Sequence, residues 1–288
     1  MNKKPHKLLD HPVPGYFLLF IIAQICISLG SQIDAAVSPY IPGYGQEISM
    51  LGRTEILATG FGSAAGALAA ILIFALWFRP DYKKAFSLQN FSKGLLMMLP
   101  VLLIHFAGSA VSVVSFGASS VLLAFLHALA PGFGEEAAFR ILGISNYMRT
   151  IKTETGIKRI FWFSSILFAA VHLSNLYAGA DLFATIFQVI YCVGIGMILG
   201  AVYLRTGNIW VIMLAHMSLD FFELCRGDLG TSSGIMSVIG IGDWITMAAA
   251  VVGAVTALRL IDKKYYPEIT ELWDRKWNRE SPPAPETA

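Results

Sequence analysis

Eight apolar runs, each close to the ~20 residues that a helix needs to cross a hydrocarbon core, dominate this chain of 288 residues. They extend from Gly15 to Ile33, Ile56 to Phe78, Gly94 to Val114, Ser119 to Met148, Ile160 to Tyr177, Leu182 to Leu204, Asn208 to Cys225 and Ile241 to Ile261. With 56% hydrophobic and 14% charged residues and a mean hydropathy of +0.63, the chain is too apolar for an ordinary water-solvated domain. In lipid every backbone N–H and C=O needs a partner within the protein, and a helix supplies one locally. The expected class is therefore all-α, a polytopic membrane protein with about eight transmembrane helices.

Charge in the connections sets the expected orientation, because cytoplasmic loops are enriched in Lys and Arg. Lys3, Lys4 and Lys7 precede the first run; Arg79, Lys83, Lys84 and Lys93 follow the second. Arg149, Lys152, Lys158 and Arg159 follow the fourth, Arg205 the sixth, and Lys263 and Lys264 the eighth. All fall on one side. The opposite loops hold Asp34, Glu47, Arg53, Glu55, Asp181, Arg226, Asp228 and Asp243, with few basic residues. Both termini are thus expected in the cytoplasm: a segment 1–14, one membrane domain 15–261 with the chemistry in 119–225, and a polar, proline-rich tail 262–288, solvated and partly disordered. The basic start before the first run has no convincing small-residue cleavage site, which favours an uncleaved first helix.

A net charge of +2, without basic runs interleaved with aromatics, argues against nucleic-acid binding. Cys26, Cys192 and Cys225 lie in or beside apolar runs without a paired spacing, as expected of reduced, structural thiols. Gly60, Gly62 and Gly66, and Gly194, Gly196 and Gly200, are expected to let helices approach closely. No internal repeat is visible, which weakens a carrier built from inverted halves.

Ionisable groups inside a span are costly and mark functional sites by default. Here they gather in three runs: Glu135, Glu136 and Arg140 in GFGEEAAFR, His172 in FAAVHLSN, and His216 and Asp220 in LAHMSLD. Pro131, Gly132 and Gly134 are expected to kink the fourth helix and to leave both glutamates in the first turn of a new segment. Arg140 stands four residues after Glu136 and is expected to pair with it. His216 and Asp220 share a helix face by the same spacing. A glutamate beside neutral imidazoles can take a proton from water while the imidazoles hold that water, directly or through a metal. Phe168 is expected to shape the cavity wall, Asn175 and Gln188 to bond between helices, and His105 and His127 to serve packing.

These residues resemble the CAAX prenyl protease and bacteriocin-processing (CPBP) intramembrane proteases, the type II CAAX or Abi family. The resemblance rests on EExxxR at Glu135, Glu136 and Arg140, FxxxH at Phe168 and His172, and HxxxD at His216 and Asp220, on three separate runs and in the family's order. It implies that Glu135 activates water, that Glu136 and Arg140 support the geometry, and that His172 and His216 bind the water or a metal. Asp220 stands where the best-studied members carry Asn, and an aspartate donates to an oxyanion only when protonated. Ile141 replaces a glycine common after the arginine.

The expected activity is that of an intramembrane endopeptidase acting on a peptide or lipidated protein among membrane lipids, in a bacterial or archaeal cytoplasmic membrane. A non-proteolytic immunity or scaffolding role, or a proton-coupled carrier, is the alternative use of the same polar cluster. Zinc held by His172 and His216 and a metal-free glutamate mechanism fit these residues equally.

Overall fold

The computed structural model describes residues 7–45, 47–82, 84–116, 121–151, 153–225 and 239–277. The expectations placed on Lys3, Lys4, Lys83, Ser119, Lys152, Arg226, Asp228 and the tail beyond residue 277 lie outside them.

The chain is all-α in architecture. Helix α1 covers Pro12–Val37, α2 Phe61–Ile73 with a π-helical turn Phe74–Phe78, and α3 Phe91–Phe116. Helix α4, Val121–His127, leads through π-helical turns at Ala130–Glu135 and Ala137–Ile141 into α5, Leu142–Thr150. Helix α6, Glu154–Val171, tightens into a 3-10 segment His172–Ala178; α7 covers Leu182–Thr206, α8 Ile209–Leu224, α9 Ile241–Leu260 and α10 Tyr266–Lys276. One antiparallel hairpin, Glu47–Met50 with Arg53–Ile56, was not expected. Its two-residue turn has positive φ at both Leu51 (53°) and Gly52 (75°), the backbone twist that suits a tight hairpin.

Among the described residues, six helical segments are long and apolar enough to cross a membrane: Pro12–Tyr40, Phe61–Phe78, Phe91–Val111, Glu154–Ala178, Leu182–Thr206 and Ile241–Leu260. Of the eight expected spans, the fourth is interrupted and the seventh, α8, has only 16 residues. Those two carry Glu135, Glu136, His216 and Asp220, so the weakest spans by length and regularity are the ones that hold the acids.

The apolar side chains face outward more than a water-soluble bundle would allow. On α1, Ile21, Ile25, Leu29 and Ile33 form an exposed stripe at a spacing of four, while Tyr16, Leu19, Ala23 and Gly30 are buried. Inside, small residues set the distances. A Cβ on Gly30 would lie 1.9 Å from the Gly62 carbonyl oxygen, one on Gly66 2.2 Å from that of Cys26, and one on Gly194 2.4 Å from that of Ala250. These glycines let α1 meet α2 and α7 meet α9 backbone to backbone. Asp34, buried at the end of α1, accepts from the N–H groups of Gly62 and Ser63 at 2.8 Å, satisfying donors that the start of α2 leaves open.

At one end of the bundle, connections expected on a single side do meet. Arg79 Nη2 donates to Asp10 Oδ1 at 3.2 Å and Arg79 Nε to Asn146 Oδ1 at 3.0 Å. Arg149 reaches Asp10 and Asp81, both at 3.2 Å, and Arg205 and Lys93 both hold Glu268. Residues 262–277 are not a free tail. Helix α10 docks on this end with Trp273 fully buried, its indole Nε1 donating to the Leu204 carbonyl at 3.0 Å. The expectation of a solvated tail took the charges of WDRK at face value and overlooked the apolar face formed by Ile269, Leu272 and Trp273.

Candidate active site

The expected first turn after Pro131 does not form. Gly132 N–H still donates to the Ala128 carbonyl at 3.1 Å, and the Glu136 N–H to that of Phe133, so the glutamates sit inside a continuous helix whose winding loosens to π. Widened turns absorb a proline that has no N–H to give, and they occur often at functional sites. The glutamates therefore owe nothing to a free helix start. Gly132 serves another purpose: a Cβ there would lie 2.6 Å from Cβ and 2.7 Å from N of Met217. Only a glycine lets the π-turn press against α8 beside His216.

That contact brings two runs of chain into register. Glu136 Oε1 lies 2.7 Å from Arg140 Nη1 and 2.8 Å from His216 Nδ1. Both Glu136 and Arg140 are fully buried. A carboxylate oxygen accepts, so Nδ1–H of His216 donates to it and Nε2 points the other way. Nε2 lies 3.5 Å from Asp220 Oδ2 and 3.9 Å from Glu135 Oε2. The Glu135 and Asp220 side chains are 34% and 28% exposed, so the two carboxylates that face Nε2 also face outward.

Phe168 fills the space on the other side. Its ring lies under the Arg140 guanidinium, Cζ to centroid 3.8 Å, a favourable cation–π geometry for a buried cation. The same ring meets His216 edge-on at 5.6 Å and His172 at 5.0 Å. Gly196 on α7 leaves room for this stack, since a Cβ there would lie 3.2 Å from both Arg140 Nη2 and Phe168 Cδ1.

His172 begins the 3-10 segment that continues α6. Its Nδ1–H donates to the Phe168 carbonyl at 2.8 Å, because a carbonyl only accepts, and this leaves Nε2 with its lone pair. Among the described residues no ion pair joins His172 to the carboxylates; it meets the Phe168 ring, as His216 does. The expected packing residues are where the sequence suggested: His127 Nδ1–H donates to the Ala58 carbonyl at 2.8 Å, His105 is buried, and Asn175 Nδ2 donates to Gln188 Oε1 at 2.8 Å. All three cysteines are free.

A residue missed at the sequence level is Tyr16 on α1. Its hydroxyl donates to the Phe139 carbonyl inside the glutamate-bearing helix, and its ring occupies the space above Gly143. The pairing with a residue more than a hundred positions away left no signal in either run alone.

Among the described residues no group of three or more His, Cys, Asp or Glu side chains is gathered to hold an ion. His216 Nδ1 is committed to Glu136, which leaves Nε2, 3.5 Å from Asp220 Oδ2 and 3.9 Å from Glu135 Oε2, as the nitrogen turned to those two carboxylates.

Residues 117–222, which contain Glu135, Glu136, Arg140, Phe168, His172, His216 and Asp220, match the family model of the type II CAAX prenyl endopeptidase Rce1-like proteins. No curated protein and no solved structure matches the chain. Together with the six apolar helices among the described residues, the match points to a multi-pass membrane protein with a stretch similar to a protease family.

Proposed function

We propose, from the premise that residues 117–222 belong to the type II CAAX prenyl endopeptidase Rce1-like family, that this protein is an intramembrane endopeptidase in which Glu135 activates water. The observation that carries the reading is the ordering of three acids around one imidazole. Glu136, tied to Arg140, fixes the tautomer of His216, and Glu135 and Asp220 stand on the outward side at its Nε2.

In this reading a water held between Glu135 and the imidazole nitrogens loses a proton to the Glu135 carboxylate as its oxygen attacks the scissile carbonyl carbon. The C–N bond of the tetrahedral intermediate then breaks, and Glu135 returns the proton to the leaving amine. A proton carried by the Asp220 carboxyl or by His216 Nε2 gives the site a donor for the developing oxyanion, which an ionised aspartate alone cannot provide. The Nε2 lone pair of His172 accepts from the attacking water or orients it. Glu136 and Arg140 are positioning residues, held away from solvent. The buried stack of Arg140, Phe168 and His216 supplies the rigidity that keeps the reacting groups in line. The substrate class that this supports is a lipid-attached or membrane-embedded peptide.

The test is cleavage of a synthetic lipidated peptide by the full chain in detergent. Glu135→Gln should abolish cleavage while leaving the thermal unfolding midpoint unchanged. Undiminished cleavage in that variant overturns the reading.

A further inference from the structure

Where α10 docks, the surface holds a second polar feature: a small solvent-open cleft of about 80 Å³ lined by Lys84, Arg275 and Lys276 together with Ser87, Gln89 and Thr206. None of these residues belongs to the carboxylate cluster.

The cleft is built from three firmly held walls. One is the connection from Lys84 to Asn90, whose end residues both have left-handed backbone, φ 58° and 62°. Such conformations are costly for residues with a Cβ and persist only where the surroundings hold them. Here Asn208 Nδ2 donates to the carbonyls of Ser87 at 3.1 Å and Gln89 at 2.8 Å, Trp210 Nε1 to that of Phe86 at 3.1 Å, and Asn90 Nδ2 to that of Thr206 at 3.1 Å. The second wall is the turn after α7. Gly207 has φ 56°, and a Cβ on it would lie 2.4 Å from Lys276 Cε, so the lysine stem lies directly on the glycine. The third wall is α10 itself.

Lys276 is the telling residue. It is only 8% exposed, yet its ammonium makes a single long hydrogen bond, 3.4 Å to the Lys84 carbonyl, and stands 5.2 Å from the Tyr82 ring. Among the described residues it has no carboxylate partner, and no carboxylate lines the cleft. Arg275 shares its guanidinium with Glu271 at the exposed rim. A buried ammonium without a counter-charge is expensive, and two further cations beside it raise that cost. An anion in the cleft offsets it and finds hydroxyl and amide groups in reach.

We infer that this cleft binds a phosphate group, presented by the headgroup of an anionic lipid or free in solution, against Lys84, Arg275 and Lys276. The site ties α10 to the turn that leads into α8, and it stands whether or not the carboxylate cluster is proteolytic.

The test uses the full chain in detergent, following tryptophan fluorescence and the unfolding midpoint during titration with dioctanoyl phosphatidic acid, with inorganic phosphate, and with dioctanoyl phosphatidylcholine as the zwitterionic control. A saturable response to phosphatidic acid alone assigns the site to a lipid headgroup, and one that inorganic phosphate reproduces assigns it to free phosphate. In either case Lys84→Gln with Arg275→Gln, both at exposed positions, should raise the half-saturating concentration about tenfold or more, as loss of charge-assisted contacts does. Lys276→Met, which keeps the stem on Gly207, should act in the same direction. No response beyond that to phosphatidylcholine, or an unchanged half-saturation in the double variant, overturns the inference.

Discussion

His216 Nδ1 and Glu136 Oε1 lie 2.8 Å apart, though 80 positions separate them in the chain. The same oxygen takes a second hydrogen bond from Arg140, at 2.7 Å, so one fully buried carboxylate decides which nitrogen of the imidazole carries its proton. What remains for chemistry is Nε2, and it faces the two acids that reach the outside.

From this it follows that Glu135 and Glu136 should fail differently when neutralised. Glu135→Gln is expected to lower kcat on a lipidated peptide by about 10²–10⁴-fold, the usual worth of a general base, with the fold intact. Glu136→Gln should lower activity and stability together, because it removes the charge that holds Arg140 and His216. Paired measurements of kcat and unfolding midpoint in detergent separate the two.

Removing Arg140 should be costlier still. Arg140→Met leaves Glu136 as a buried carboxylate with only His216 beside it, and breaking a buried pair in this way costs about 3–5 kcal/mol. Chemical unfolding of the full chain should show a loss of that order. A variant as stable as the parent would mean that Phe168 and Gly196 enclose a group of little structural weight.

Gly132→Val tests the approach of the π-turn to α8. The added Cβ would meet the Met217 backbone at 2.7 Å, and backbone cannot swing aside, so the two elements must part. Overpacking of this kind costs about 1–3 kcal/mol. Peptidase activity should fall by more than the stability loss accounts for, since separation lengthens the His216–Glu135 and His216–Glu136 contacts.

Acid should loosen α10. Hydrogen bonding from Lys93, with Arg205 adding its charge, holds the Glu268 carboxyl below the ordinary carboxylate range, against the opposing effect of partial burial. A carboxyl whose folded value is lowered contributes stability fully above its unfolded value, about 4.3, and loses it as pH falls through the folded one. The unfolding midpoint of the parent should therefore approach that of Glu268→Gln as pH is taken from 7 toward 3. Parallel curves over that range would remove Glu268 from the docking of α10.

Chelation gives a further check. Cleavage by the full chain that survives prolonged treatment with a strong chelator would assign the site a metal-free glutamate mechanism. Loss of activity that zinc restores would assign His172 and His216 a ligand role.

Much of this was legible in the residues. Apolar runs of spanning length predict a helical membrane protein because lipid offers backbone groups no partner, and among the described residues six of them are helices able to cross. Helical spacing likewise anticipates the Glu136–Arg140 pair and the shared face of His216 and Asp220. The interrupted fourth span was readable as an irregularity at Pro131, but not as π winding. A sequence shows where a hydrogen bond is missing and leaves open how the neighbouring turns accommodate it. The burial of α10 went unread because its apolar face spans only a few residues among many charges.

The sequence by itself determined the solvent, the helices and the short list of ionisable residues, since each follows from local composition and spacing. Only the tertiary structure decided which of them lie together. That His216 joins the acids, that it and His172 both meet the Phe168 ring, that Gly132 admits α8, and that Tyr16 reaches into the glutamate-bearing helix all depend on distances between segments far apart in the chain, and those distances are set by packing.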